Sequence, residues 1–224
     1  MSYLSEEQHK IVSDAVAEAE ANTSGEILTV LAARSDGYTD VAMWWAAGVG
    51  FTVMSLLAAF PSWLTGVLDW FAGGWAGEWT NGQLLTWLVA FGLIAFLLAV
   101  FVQLWAPLRF ALIPGPVKTA RVHAQAIKHF KVGAEKRTHG RTGVLVFLSM
   151  AEHRAEIVAD RPIAEKVDAE VWGEAMGDML AEIKQGRVAE GLAVGVADVG
   201  FVLAEHFPRG AEDENEIPDR LIEV

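Results

Sequence analysis

The chain has 224 residues, nine tryptophans, no cysteine and a positive mean hydropathy of +0.30. Without cysteine, disulfides, thiolate nucleophiles and cysteine-bound zinc are excluded. The formal net charge of -12 argues against a general nucleic-acid binder, because backbone phosphates require clustered lysine and arginine.

The amino-terminal region predicts a helix followed by a buried strand. Ser5 and Gln8 resemble a capping box, and apolar residues at helical spacing extend the helix over residues 5–21. The polar sequence at 22–25 interrupts it. Residues 27–32 form an apolar, partly β-branched run, which is typical of a strand buried on both faces.

Two long uncharged stretches predict a transmembrane hairpin over residues 41–108. No charged side chain occurs from 41 to 68 or from 79 to 108, and either stretch exceeds the roughly 20 residues that cross a hydrocarbon core. We place the spanning helices at about 42–64 and 82–105, with a glycine-rich connector between them. The side chains in these spans are too apolar for a transporter, so the hairpin is interpreted as an anchor.

A stripe of small residues lies on the first predicted span. Ala42, Ala46 and Gly50 recur at a spacing of four, which favours close packing of helices. The contact can form within the hairpin or between copies of a homo-oligomer.

The positions of lysine and arginine predict the orientation. Arg34 precedes the first span and Arg109 and Lys118 follow the second, whereas the connector has no basic residue. The prediction is a multi-pass protein of the bacterial inner membrane with both termini cytoplasmic. Eight bases within 109–141 predict contact with anionic lipids, although several also suit the solvated side of an ordinary helix.

The chain after the hairpin alternates helices and strands. A helix at 118–137 is expected to cross over between parallel strands at 27–32 and 144–148, and a strand at 155–159 to return antiparallel. Two further helices follow, the second at 188–207 with close-packed glycines, and residues 209–224 are expected to form an acidic tail. Residues 1–40 and 109–224 together are thus predicted to form one α/β domain.

Several short segments carry a family resemblance. They are T-S-G-E-I at 23–27, R-T-G-V-L at 141–145, A-E-I-V-A-D at 155–160 and N-E-I-P-D at 215–219. In their order and spacing they resemble the membrane-integral bacterial branch of the TPM-domain family. The resemblance implies an α/β/α sandwich around a small mixed sheet. It also implies a family associated with phosphatase-like activity, divalent cations and the upkeep of membrane complexes.

The predicted topology brings polar residues to one end of the sheet. Glu26 at the start of the first strand and Asp160 at the end of the third are candidate ligands for Ca²⁺ or Mg²⁺, which prefer oxygen. Thr23, Ser24 and Arg161 are candidates for binding phosphate. The alternative is structural: Ser24 caps, Glu26 is exposed, and Asp160 caps a helix starting near Pro162.

Asp36 and Asp40 form a second candidate cluster. They follow the carboxyl end of the first strand, where open α/β sheets commonly bind ligands. The sequence Asp36-Gly37 is equally typical of a plain turn that connects to the membrane span.

Two functions follow from these patterns. The first is a membrane-anchored binding or scaffold domain that assists the assembly or upkeep of a partner membrane protein. The alternative is a phosphatase dependent on a divalent cation, in which Glu26 and Asp160 hold the cation and Arg161 stabilises developing charge. The sequence contains no serine-hydrolase, Walker A or dinucleotide motif, and its histidines lack zinc-site spacing.

Overall fold

The computed structural model describes residues 3–73, 78–133, 142–210 and 217–224. The chain divides into two compact units. The first contains Met1–Asp36 and Gly115–Val224, and the second contains Gly37–Pro114. The inserted unit therefore extends slightly beyond the predicted 41–108 at both ends.

The first unit begins with helix α1, Glu6–Glu20. The predicted capping box is confirmed: the Gln8 N–H donates to Ser5 Oγ over 3.3 Å, and the Ser5 N–H donates to Gln8 Oε1 over 2.9 Å. These two bonds satisfy donors that a helix terminus otherwise leaves unpaired.

A mixed four-stranded sheet forms the centre of the first unit. Its strands are β1 (Glu26–Ala32), β2 (Gly143–Ser149), β3 (Arg154–Ala159) and β4 (Ile222–Glu223), in the order β3-β2-β1-β4. As predicted, β2 runs parallel to β1, and β3 runs antiparallel to β2. Every residue of β1 and β2 is buried, which agrees with their continuous apolar sequences.

Helices cover both faces of this sheet. Helix α6, Gly115–Gly133, packs Val122, Ala126 and Phe130 onto one face. The other face packs against α1, α7 (Arg161–Ala164), α8 (Ala169–Ile183) and α9 (Val188–His206). The alternation of side chains along each strand supplies both cores, as expected for an α/β fold.

Two glycines of α9 allow it to approach α8 closely. A Cβ atom on Gly191 would lie 2.8 Å from the Met179 carbonyl oxygen, and one on Gly195 would lie 3.0 Å from Met179 Sδ. The predicted close packing of this helix is therefore confirmed.

The carboxyl terminus differs from the predicted tail. Residues 209–224 were predicted as a tail, but Ile217 is 2% exposed and β4 pairs in parallel with β1. The most acidic part of the predicted tail, 212–216, lies outside the described residues. The apolar positions among 217–224 are too few and too interrupted by charge to show a periodic pattern.

The described residues of the second unit form four helices: α2 (Thr39–Ala59), α3 (Pro61–Phe71), α4 (Asn81–Val102) and α5 (Ala106–Leu112). The predicted first span, 42–64, is wrong at its end. Pro61 has no N–H to continue α2 and instead occupies the first turn of a new helix.

Helices α2 and α4 pack against each other through small residues. Ala46 and Gly50 are buried, and a Cβ atom on Gly50 would lie 3.0 Å from the Gly92 carbonyl oxygen. Gln103 Nε2 also donates to the Ala42 carbonyl over 3.1 Å. The small-residue stripe thus lies along a contact within the hairpin.

Candidate functional site

The amino-terminal edge of the sheet carries both predicted carboxylates. Glu26, the first residue of β1, pairs with Gly143, the first residue of β2. Asp160 follows β3, and its N–H donates to the Gly143 carbonyl over 2.9 Å. Glu26, Gly143 and Asp160 therefore form one row across three strands.

The Asp160 carboxylate is bonded to this sheet edge. Its Oδ2 accepts the Gly143 N–H over 3.1 Å, and the residue is 6% exposed. Asp160 occupies the N-cap position of α7, but its side chain makes no capping hydrogen bond. The structural alternative in which this side chain caps the helix is therefore wrong, and the carboxylate instead closes the start of the β2–β3 pair.

The Glu26 carboxylate has a different partner. Its Oε2 accepts the Ile217 N–H over 3.0 Å, and Glu26 is buried, not exposed as the structural alternative required. It lines a cavity of about 90 Å³ together with Glu20 and Asp219, and Asp160 does not line that cavity. Two strand spacings, roughly 10 Å, separate the Glu26 and Asp160 backbones. The two carboxylates therefore do not converge as predicted, and Glu26 instead lies beside Glu20 and Asp219.

The predicted phosphate-binding hydroxyls bond to the backbone. Thr23 Oγ1 donates to the Phe207 carbonyl over 2.6 Å, and the Gly25 N–H donates to Thr23 Oγ1 over 3.0 Å. Ser24 Oγ donates to the same Phe207 carbonyl over 3.4 Å. Both residues therefore fasten the α1–β1 loop to the end of α9.

Arg161 lies outside the carboxylate cavity. Its Nε is 2.6 Å from Glu165 Oε1, one helical turn ahead, and its side chain is 88% exposed. Such a pair on an exposed surface contributes little to stability.

Glu20 is the central residue of the cavity. It is 8% exposed, and its Oε1 accepts the Ile27 N–H over 2.7 Å. Arg209 lines the same cavity, and its guanidinium donates to the Glu20 and Ala21 carbonyls over 3.5 and 3.4 Å.

Burial is the main cause that raises the pKa of Glu20, and the hydrogen bond from Ile27 opposes this effect only in part. The negative charges of Glu26 and Asp219, and a hydrogen bond with Asp219, also raise it, and together these effects move the pKa of Glu20 from 4.5 to about 9. Glu20 is therefore protonated at neutral pH.

This arrangement suits a shared proton better than a preformed metal site. Within the described ranges, no group of three acidic, histidine or cysteine side chains has the placement to hold a metal ion. A protonated carboxyl is also a poor ligand, because metals bind the ionised form. Binding of Ca²⁺ or Mg²⁺ remains a prediction.

The predicted site does not include Glu20, Arg209 or Asp219. A signal for Glu20 was present, because it continues the buried stripe of Val12 and Val16 at a spacing of four. The other two residues come from the far end of the chain, in segments without a periodic pattern.

The second predicted cluster is divided between the two units. Asp36 belongs to the first unit, where its Oδ2 lies 3.2 Å from Arg121 Nε. Asp40 lies in the first turn of α2 in the second unit, where its charge favours the positive end of the helix dipole. The placement of Asp40 agrees with a connector role.

A buried polar network closes the carboxyl ends of β1 and β2. Glu152 is 4% exposed and accepts the Ser35 N–H over 3.1 Å and the Ser149 hydroxyl. Ser35 Oγ bonds Ser149 Oγ over 2.9 Å. No sequence motif predicted this network, which ties the loop after β1 to the β2–β3 turn.

Comparisons with known proteins bear on the fold. No protein-family model matches the chain, and no curated protein matches it. The structure is similar to the NMR structure of BA42 protein from the psychrophilic bacterium Bizionia argentinensis, with a TM-score of 0.57 and 18% identity. The match covers 100% of this chain and 97% of that chain. At this identity the likeness concerns the fold alone.

Replacing Glu20 with glutamine is expected to remove a pH dependence of stability. The pKa of Glu20 is raised in the folded state, so the stability it contributes is full below pH 4.5 and falls as the pH rises to about 9. Glutamine keeps the uncharged shape at every pH. In thermal unfolding of the detergent-solubilised chain, the unfolding temperature of Glu20→Gln should rise relative to that of wild type as the pH increases from 5 to 9.

Exposed Glu18 on the same helix provides the control, since Glu18→Gln should follow wild type throughout. Parallel curves for wild type and Glu20→Gln over this pH range would contradict the assignment of the proton.

Proposed function

We propose that this protein is a membrane-anchored, TPM-like binding module that acts as a scaffold for the assembly or upkeep of a membrane protein. The observation that carries the proposal is the pair of apolar helices inserted between two strands of one sheet. Helices α2 and α4 have 21 and 22 residues, and the most apolar 18-residue window of each has a mean hydropathy of 1.7 and 2.7, respectively. At 1.5 Å per residue each is roughly 30 Å long, the thickness of a hydrocarbon core.

The exposed surface of these helices favours a lipid environment. Only 11% and 6% of their most apolar windows are buried within the protein. Phe51 and Phe101 are 69% and 71% exposed. Continuous apolar surface of this extent is unfavourable in water, and a bilayer removes the cost.

Both termini are expected on the cytoplasmic side. The Tyr3 and Leu4 N–H groups donate to the Glu223 carboxylate over 2.8 and 3.0 Å, so the two ends of the chain belong to one folded unit. A bilayer cannot pass between them. Basic residues flank the hairpin and none occurs from 35 to 108, which favours a cytoplasmic domain of an inner-membrane protein.

The basic residues after the hairpin support contact with anionic lipids. Lys128 and Lys131 are exposed on α6. Each such base contributes about 1 kcal/mol of attraction near an anionic leaflet. Arg121 contributes less, because it already pairs with Asp36.

The groove between α1 and α9 of the first unit is suited to binding a partner protein. Its cavity of about 480 Å³ is lined by small residues, including Ala15, Ala19 and Gly200, and by Phe201. Phe201 is 76% exposed on a helix whose other apolar side chains are largely buried. A large exposed aromatic beside an apolar groove is typical of a protein contact.

The orientation can be tested because the chain has no native cysteine. Glu78 in the connector and Gln185 in the first unit are both exposed. A membrane-impermeant thiol reagent should modify Glu78→Cys in spheroplasts and Gln185→Cys only after permeabilisation. Labelling of Gln185→Cys in intact spheroplasts would reverse the orientation, and a protein that stays soluble without detergent would refute insertion.

The scaffold role predicts a protein neighbour at Phe201. A photoreactive amino acid at this position should crosslink one membrane protein reproducibly in native membranes. The same amino acid at Glu174, an exposed position on α8, is the matched control. Crosslinks from Phe201 to lipid alone would count against the scaffold.

The scaffold role also predicts that Asp160 carries no catalysis. Because the Asp160 carboxylate bonds the Gly143 N–H, Asp160→Asn keeps an acceptor at that position. Any phosphate release from a model phosphomonoester in Mg²⁺ or Ca²⁺ should be equal in this variant and wild type. A loss of tenfold or more, about 1.4 kcal/mol in the barrier, would restore the divalent-cation phosphatase alternative.

A further inference from the structure

The second unit contains an apolar groove that the proposed function does not use. It lies between α3 and α4 and has a volume of about 450 Å³. None of its lining side chains is charged. The lining includes Leu68 and Phe71 from α3, Trp79 from the connector, and Trp87, Phe91 and Ile94 from α4.

The groove lies away from the helix contact within the hairpin. Trp87, Phe91 and Ile94 are spaced by four and three residues, which places them on one face of α4. Gly92, which lies against α2, is on the opposite side of α4 at 100° per residue. The groove face extends roughly 10 Å along the helix and is half exposed, since Trp87 is 42% and Ile94 is 49% exposed.

The connector end of the groove is polar and acidic. Trp79 Nε1 donates to Asp69 Oδ1 over 2.8 Å, so the ring that lines the groove is bonded to the carboxylate at its rim. Glu78 is the adjoining charged residue and is exposed. The sequence contains no lysine or arginine between 35 and 108, so no side chain of this segment supplies a balancing cation.

We propose that this groove binds one acyl chain of a phospholipid whose headgroup carries an amine, such as phosphatidylethanolamine. The inference rests on the membrane insertion in the proposed function. The aromatic and aliphatic walls accept the chain, and Asp69 and Glu78 attract the ammonium group. A purely anionic headgroup would be repelled at the same rim. This preference is opposite to that expected of the basic residues after the hairpin.

The experiment uses the full chain in nanodiscs made of equal amounts of phosphatidylethanolamine and phosphatidylglycerol. Bromine is placed on the acyl chains of only one lipid at a time, and quenching of tryptophan fluorescence is measured. Subtracting the signal of Trp87→Phe isolates the ring in the groove. We expect brominated phosphatidylethanolamine to quench this ring more strongly than brominated phosphatidylglycerol does. The expected preference is roughly two- to fivefold, which corresponds to the free energy of one exposed ion pair.

Two variants test the chemistry of the site. The double variant Asp69→Asn with Glu78→Gln should abolish the preference, so that both lipids quench equally. The amide oxygen introduced at position 69 still accepts the hydrogen bond from Trp79. Ala72→Phe should reduce the quenching by filling the groove, whereas Leu93→Phe, at an exposed position of α4 outside the lining, should not.

The outcomes separate this site from membrane insertion. Equal quenching of Trp87 by both brominated lipids in the wild type would overturn the lipid site and leave insertion standing. A preference that survives removal of both carboxylates would also overturn it. Absence of quenching of any tryptophan by either lipid would overturn insertion itself, and with it the proposed function.

Discussion

Seven residue pairs join β1 to β2 in parallel, although residues 33–142 lie between the two strands. A parallel pair cannot be closed by a tight turn and always needs a crossover. In this chain the crossover contains the whole second unit and then α6. The sheet can form only if the chain leaves and returns to the same folded unit, which therefore contains the residues on both sides of the insertion.

The amino-terminal edge of the sheet also brings together residues that are far apart in the chain. Three carboxylates, Glu20, Glu26 and Asp219, are brought there from a helix end, a strand start and the returning carboxyl terminus. Burial removes the water that would separate like charges, so a proton on Glu20 replaces a repulsion with a hydrogen bond. The edge thereby secures the last segment of the chain, which Glu26 also holds through the Ile217 N–H.

In the described part of the second unit, hydrogen bonds within and between helices, and not a sheet, satisfy the backbone polar groups. Its polar groups bond within the helical unit, as when Gln103 donates to the Ala42 and Ala99 carbonyls, and its apolar side chains point outward. This is the arrangement expected where no water is present to pair with an open backbone. Glycines at the α2–α4 contact provide the close approach that supplies packing energy in place of hydrophobic burial.

Local chemistry alone determined much of this protein. The Ser5 capping box, the buried strands β1 and β2, the antiparallel β3 and the two apolar helices all follow from residues close together in the chain. The sequence also located Glu26 and Asp160 at one edge of the sheet, because strand direction was predictable. The resemblance to the TPM-domain family remains a proposal.

Tertiary structure decided the features that depend on residues far apart in the chain. Asp219 meets Glu20 and Ile222 joins β1 only because the carboxyl terminus returns to the sheet, and no local pattern encodes that return. Glu26 and Asp160 share a row but bond different N–H groups, because partner atoms and not strand order direct a carboxylate. A sequence shows which groups need partners, whereas the fold determines which partners are within reach.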